Sequence, residues 1–406
     1  MRGLSPPGWL VHAVLTAGRV EPQGCLACRA GDAGSLLQVD LVGTIRGSLL
    51  PHVDLNLKGH TTTTPRRVLV TGGSGFIAGH CILQLLRQGY LVRTTVRSLG
   101  REAEVRSVLQ EAGMSSSDAL NFVALELTSD TGWAEAVADC DFVLHVASPV
   151  HLEVTNNEDE VIVAAREGAL RVLRAARDAG VKRVVLTSAF HAVGYGHPHT
   201  DHVFNDDDWS VLDGPGTSTY GKSKTLFERA AWDFMETEGG SLELATILPV
   251  AVMGPVMGKA ISGANHIISR SLDGSMPGYP HLWIPIVDVR DVARAHILAM
   301  TTPDAAGQRF LVSSGLSIPM KEIGVILKTS LGEAANRVPS RSIPNLFIRL
   351  AGIFDKELRQ SVPDLDYVRR VTSDKAFRVL GWTARKPEEA IISAGESMIA
   401  KCLVAG

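Results

Sequence analysis

Residues Val68 to Gly79 read VLVTGGSGFIAG, and they leave a chain like this few folds to choose from. An apolar run (Val68, Leu69, Val70) ends at Thr71. Gly72, Gly73, Ser74 and Gly75 follow, and then an apolar helical pattern through Phe76, Ile77, Ile82, Leu83, Leu85 and Leu86. The pattern predicts strand, tight turn, helix. Glycines let a backbone approach a pyrophosphate without a Cβ in the way, and the free N–H groups of a helix start bind the anion. The spacing is Gly72-x-x-Gly75-x-x-Ala78, shorter than the usual Gly-x-Gly-x-x-Gly. A glycine turn alone is weak evidence, because many strand-to-helix turns carry glycine for packing; here the flanking elements are the right ones for a dinucleotide.

The next predicted strand, 90–96, indicates which dinucleotide. NAD-binding folds place an acidic residue near its end to hold the ribose hydroxyls. No acidic residue lies between Phe76 and Arg101, and Arg97 stands just past the strand with Arg93 and Arg101 nearby. A guanidinium pairs with a 2′-phosphate that a carboxylate would repel. The expectation is NADP(H) held through Arg97, with Arg93 a solvated surface charge.

Strand patterns continue near 66–71, 121–125, 141–146, 182–187 and 242–248. Helical patterns fall at 75–88, 101–112, 132–138, 158–179 and 221–238. The strands are Val- and Leu-rich, as strands covered on both faces should be. Repeated strand–helix units with right-handed crossovers predict an α/β fold with a doubly wound parallel sheet. After about residue 250 the alternation loosens under Gly254, Pro255, Gly258, Gly274, Pro277, Gly278 and Pro280. The expected division is an extension over 1–64, a cofactor domain over 65–250, and a smaller, mainly substrate-binding region over 251–406. Segments 284–287 and 308–313 are expected to return to the sheet or to form a small one. Residues 1–64 are Gly- and Pro-rich without sustained periodicity, and read as a disordered extension or as sequence upstream of the true start.

The chain has 406 residues and a formal net charge of -3, which gives no reason to expect nucleic acid or an acidic membrane as partner. No apolar run approaches the length of a spanning helix. Five scattered cysteines argue for a reducing, cytoplasmic setting. Cys25 and Cys28 form a lone C-x-x-C without a second ligand pair, so no metal site is expected. His197, His199, Asp201 and His202, with Asp206–Asp208, read as a solvated polar loop. Asp288 and Asp291 read as helix-capping groups, and Trp232 and Phe234 as core.

Tyr220-Gly-Lys-Ser-Lys224 opens a helical pattern after the loop Asp213–Thr219. Four residues apart, Tyr220 and Lys224 share a helix face. A phenol titrates near pH 10; a nearby ammonium and an oxidised nicotinamide are expected to lower that value and let the pair pass a proton to a carbonyl oxygen.

These pieces together resemble the extended short-chain dehydrogenase/reductases, the NAD-dependent epimerase/dehydratase superfamily, and within it the dihydroflavonol-reductase-like branch with its aldehyde and ketone reductases. The resemblance runs from Arg66 to the end through TGGSGFIAGH (71–80), TTVRS (94–98), HVASPV (145–150), KRVVLTSA (182–189), YGKSK (220–224), LPVAVMGP (248–255) and VDVRDVARAH (287–296). It implies a Rossmann sheet, and Gly72, Gly75, Phe76 and Ile77 at the pyrophosphate. It also implies Arg97 at the 2′-phosphate, Glu126 and Leu127 flanking the adenine, Ala147 in the cleft, and Pro249 and Val252 near the nicotinamide amide. Tyr220 and Lys224 would be the acid/base pair.

One position departs from that pattern. The family usually reads Thr-Ser-Ser after the fifth strand, and this chain reads Thr187-Ser188-Ala189. Ser188 should face away, since adjacent strand residues point to opposite sides. His191, a backbone N–H or a water is then expected to polarise a carbonyl beside Ala189. The implied function is NADPH-dependent reduction of a small aldehyde or ketone by a monomer or homodimer. The alternatives are a sugar-nucleotide epimerase/dehydratase, a 3β-hydroxysteroid dehydrogenase-like enzyme, and a non-catalytic NADP-binding regulator.

Overall fold

The computed structural model describes residues 65–115, 118–148 and 158–404. The expectations for 1–64, for Cys25 and Cys28, and for Pro149 and Val150 lie outside those residues.

Seven strands form one sheet: β1 (Arg67–Val70), β2 (Leu91–Val96), β3 (Leu120–Ala124), β4 (Phe142–His145), β5 (Arg183–Thr187), β6 (Glu243–Pro249) and β7 (Gln308–Val312). Their order is β7-β6-β5-β4-β1-β2-β3, and every pairing is parallel. The chain reverses its direction of winding between β1 and β4. In such a sheet the crevice at the carboxyl ends of those two strands is the ligand site.

The helices that pack on the sheet are α1 (Phe76–Arg87), α2 (Glu102–Glu111), α3 (Trp133–Val137), α4 (Glu158–Asp178) and α5 (Thr219–Thr237). Strand alternation sorts the apolar side chains into two layers. Val68 and Val70 meet Ile82 and Leu85 of α1 on one face. Leu69 and Val143 meet Leu173 of α4 and Phe227 of α5 on the other. All of these side chains are nearly or wholly buried. Each contributes roughly 1.5–3 kcal/mol by leaving water.

Beyond β6 the chain adds α6 (Asn265–Leu272), α7 (Val289–Thr301), α8 (Met320–Leu331), α9 (Asn345–Phe354) and α10 (Pro387–Ala400). Helix α7 returns to the sheet, where Val292 and Ala295 join the layer of Val68. Residues 308–312 supply its seventh strand. The segments near 284–287 go instead to small ladders, Ile286–Asp288 beside Ala251–Met253 and Trp283–Ile284 beside Ile318–Pro319. Helices α6, α8 and α10 share a separate core of Ile267, Leu272, Ile323, Leu327 and Ile391. Buried Arg183 ties the two halves together. It pairs with Glu243 at 2.7 Å and donates to the carbonyls of Ala299 and Thr302 at the end of α7.

Candidate active site

The glycine turn is held from both sides. The Gly72 N–H donates to Thr95 Oγ1 at 2.9 Å and the Gly73 N–H to the Thr95 carbonyl at 2.9 Å. Gly72 has φ +73, and a Cβ there would stand 2.9 Å from that of Ala147. A Cβ on Gly73 would stand 2.3 Å from Thr94 Oγ1. Gly75 caps α1 with no side-chain bond, and the first turn carries no acidic residue. Phe76 and Ile77 open that turn, so its N–H groups face a cradle shaped and charged for an anion. These features fit the pyrophosphate of a dinucleotide. Across the crevice, the Thr71 hydroxyl accepts from the N–H groups of Val146 and Ala147 at 3.1 and 3.0 Å. Its proton therefore goes to His145 Nδ1 at 3.0 Å. Burial holds His145 neutral, pushed down to about 3, and its Nε2 has no partner among the described residues.

The basic residues divide. Arg97 is exposed one residue past β2. Arg101 reaches the turn itself, donating to Ser74 Oγ at 2.9 Å while pairing with Glu104. Arg93 is not the solvated charge expected. It donates to the carbonyls of Glu135, Ala136 and Ala138 and satisfies the end of α3. Glu126, exposed, and Leu127, half-buried, follow β3 at the same edge of the sheet. Pro249 ends β6 opposite Val312, and Val252 pairs with Val287 in the small ladder beyond.

Ser218 starts α5 by accepting from the Gly221 N–H at 3.0 Å, which sets Tyr220 and Lys224 one turn apart on it. Tyr220 is half-buried, and its hydroxyl has no hydrogen-bond partner among the described residues. Lys224 is buried; its Nζ donates to the Thr187 carbonyl at 3.4 Å and lies 5.0 Å from the centre of the Phe227 ring. Burial lowers Lys224 to about 8, against the opposing charge of Glu228. The expectation that the ammonium lowers the phenol is not met by the protein's own groups. Tyr220 is pushed up to about 12, first by burial and then by Tyr195.

Ala189 is buried and precedes a short turn, Phe190–Ala192, so the strand does not run on to His191. The neighbouring hydroxyls are committed elsewhere. Ser188 donates to Glu228 at 2.7 Å. Thr187 lies 2.7 Å from His296 Nε2, whose Nδ1 is 2.8 Å from the Val292 carbonyl; the network makes Thr187 the donor. His191 stacks flat on Tyr195 at 4.5 Å and meets Tyr220 edge-on at 4.9 Å. Burial, with Arg369 and Lys224 nearby, pushes His191 down to about 3, so the ring is neutral.

Residues that motif reading missed support this arrangement. The Arg369 guanidinium lies 4.3 Å over the Tyr195 ring, donates to the Gly194 carbonyl and pairs with Asp364 at 2.6 Å. Below Lys224, Glu228 is wholly buried and accepts from Ser188, Thr246, Trp232 and Arg309. Arg309 stacks 3.7 Å over Trp209. The polar loop is exposed at His199, Asp201, His202 and Asp207, as expected, while Asp206 is buried; His197 contacts the Trp209 carbonyl, His199 that of Pro363, and His202 the carboxylate of Asp208. Asp288 caps α7, accepting from the Arg290 N–H at 2.8 Å, and Asp291 accepts from the Arg385 N–H at 2.7 Å. Phe234 is core, while Trp232 is half-buried and spends its N–H on Glu228.

The model of the NAD dependent epimerase/dehydratase family matches residues 68–313. The chain belongs to that family. It is 32% identical over 355 residues to the ketoreductase azaE of Aspergillus niger, across 82% of this chain and 98% of that one. It is 34% identical to a cinnamoyl-CoA reductase of Medicago truncatula over 60% of this chain and 75% of the relative. Among solved structures, Gre2 of Candida albicans in complex with NADPH superimposes with a TM-score of 0.68 at 25% identity, over 83% of this chain and 99% of Gre2.

Proposed function

We propose that this chain is an NADPH-dependent reductase that converts a small aldehyde or ketone to an alcohol, with Tyr220 as proton donor. The observation that carries the reading is the Tyr220 hydroxyl, without a hydrogen-bond partner among the described residues, one turn from buried Lys224 on the helix that follows β5 in a glycine-turn dinucleotide fold. The named relatives are reductases, and Gre2 is seen with NADPH.

The cofactor, when bound, supplies the hydride. Gly72, Gly75, Phe76 and Ile77 hold its pyrophosphate, and Arg97 with Arg101 its 2′-phosphate. Glu126 and Leu127 flank the adenine, Ala147 lines the cleft, and Pro249 and Val252 border the nicotinamide. Tyr220, protonated well past neutral pH, donates to the carbonyl oxygen. The Lys224 ammonium favours the phenolate left behind. His191 fixes the edge of the Tyr220 ring and offers its one N–H where the usual serine is replaced by Ala189. A His191→Ala variant with undiminished turnover would remove that role.

A non-catalytic NADP-binding reading rests on Ala189 alone. Purified protein with NADPH and a panel of aldehydes, diketones and flavanonols separates the two. Oxidation of NADPH on any of them supports the reductase; tight NADPH binding with no turnover across the panel supports the regulator.

A further inference from the structure

Helix α9 is apolar on the wrong side for a helix of an isolated globule. Of its ten residues only Ile348 and Gly352 are buried. They lie four apart on one face, where Gly352 closes on Arg359 and Val362. Leu346, Phe347, Leu350, Ile353 and Phe354 are 64, 64, 49, 60 and 82% exposed. At about 100° per residue these five fill an arc of about 120° centred on Leu350, directly opposite the buried face. Arg349 stands at the rim, and the arc itself holds no charge. Taking ~200 Å² for each large side chain fully exposed, the stripe presents roughly 600 Å². That is the upper limit of what a typical monomer shows in one patch.

The stripe reads the same from either end. Around a two-fold axis through Leu350, an antiparallel second helix sets Leu346 against Phe354, Phe347 against Ile353, and Leu350 against its own copy. Self-complementarity of this kind is what an isologous interface requires. Two such stripes would bury about 1,200 Å² in total, the threshold of a stable interface. We propose that α9 is the two-fold contact of a homodimer, packed antiparallel about Leu350. The proposal is independent of the reaction assigned above.

Sedimentation velocity on the full chain tests it. The parent should be a dimer. Leu350→Asp and Leu350→Lys should each raise the dimer dissociation constant at least 100-fold, because the axis sets like charges face to face. An equimolar mixture of the two variants should restore dimers. Leu350→Cys should give a covalent dimer on mild oxidation. Melting temperatures near the parent's establish that the variants fold, as expected at so exposed a position. The proposal is overturned by a parent that stays monomeric at tens of micromolar, by dimers indifferent to Leu350→Asp, or by no rescue on mixing. A monomeric parent that floats with phospholipid vesicles would assign the stripe to lipid and overturn it equally.

Discussion

Glu228→Gln probes the support beneath the catalytic pair. Glu228 is wholly buried, and its two oxygens accept from Ser188 at 2.7 Å, Thr246 at 2.8 Å, Trp232 at 3.3 Å and Arg309 at 2.8 Å. Glutamine keeps the shape and one acceptor but removes the charge that Arg309 is buried against. Breaking one side of a buried pair costs about 3–5 kcal/mol, and the retained carbonyl argues for the lower end. With an unfolding entropy of roughly 2.1 cal/mol/K per residue over the ~330 described residues, 3 kcal/mol lowers Tm by about 4 °C. The same charge is the interaction that raises Lys224 against burial. Without it Lys224 falls below about 8. The sign follows: a lysine depressed in the folded state gives up its proton at lower pH, so the alkaline limb of turnover moves to lower pH. Calorimetry and a pH–rate profile read the two effects. A variant with the parent's Tm and an unmoved alkaline limb would refute both the network and its coupling to the site.

Other expected outcomes follow from separate parts of the molecule. Gly72→Ala, at φ +73 and 2.9 Å from the Ala147 Cβ, should cost about 1–2 kcal/mol in backbone strain and weaken NADPH binding by fluorescence titration; unchanged affinity would count against the cradle. Removing Arg97 and Arg101 together should reduce NADPH affinity roughly tenfold or more while sparing NADH, and equal losses for both would place the 2′-phosphate elsewhere. Buried His80, His145 and His296 are pushed down to about 4, 3 and 4 from 6.5. Between those values the unfolded chain binds protons that the folded one does not, so their stability is full above pH 6.5 and falls on acidification, by roughly 2 kcal/mol each at pH 5. Melting temperatures flat from pH 7.5 to 5 would contradict this.

The legible features were local ones. The strand, turn and helix around Gly72 announce themselves in twelve consecutive residues, because apolar strand, glycine and helix periodicity are neighbours in the chain. Tyr220 and Lys224 are readable because one helical turn fixes their relation. What stayed hidden is tertiary. Glu228 reads as a surface residue of α5 until β5, β6 and β7 bring Ser188, Thr246 and Arg309 to it. An arginine inside the apolar run of β7 was the available signal. Arg369 joins Tyr195 and His191 from far along the chain, and no spacing rule predicts that. Arg93 misled because an arginine within β2 looks solvated until α3 presents its open carbonyls. The turn at Phe190–Ala192 places His191 outside the strand alternation, so no spacing along β5 fixes its direction.

The central claim is that the Tyr220 hydroxyl delivers the proton in a site built on the glycine cradle. Tyr220→Phe removes one oxygen atom and leaves Gly72, Arg101 and Lys224 in place. NADPH affinity should hold within about twofold while turnover of any accepted aldehyde falls by ~100-fold or more. Turnover equal to the parent's, with NADPH still bound, would contradict the account.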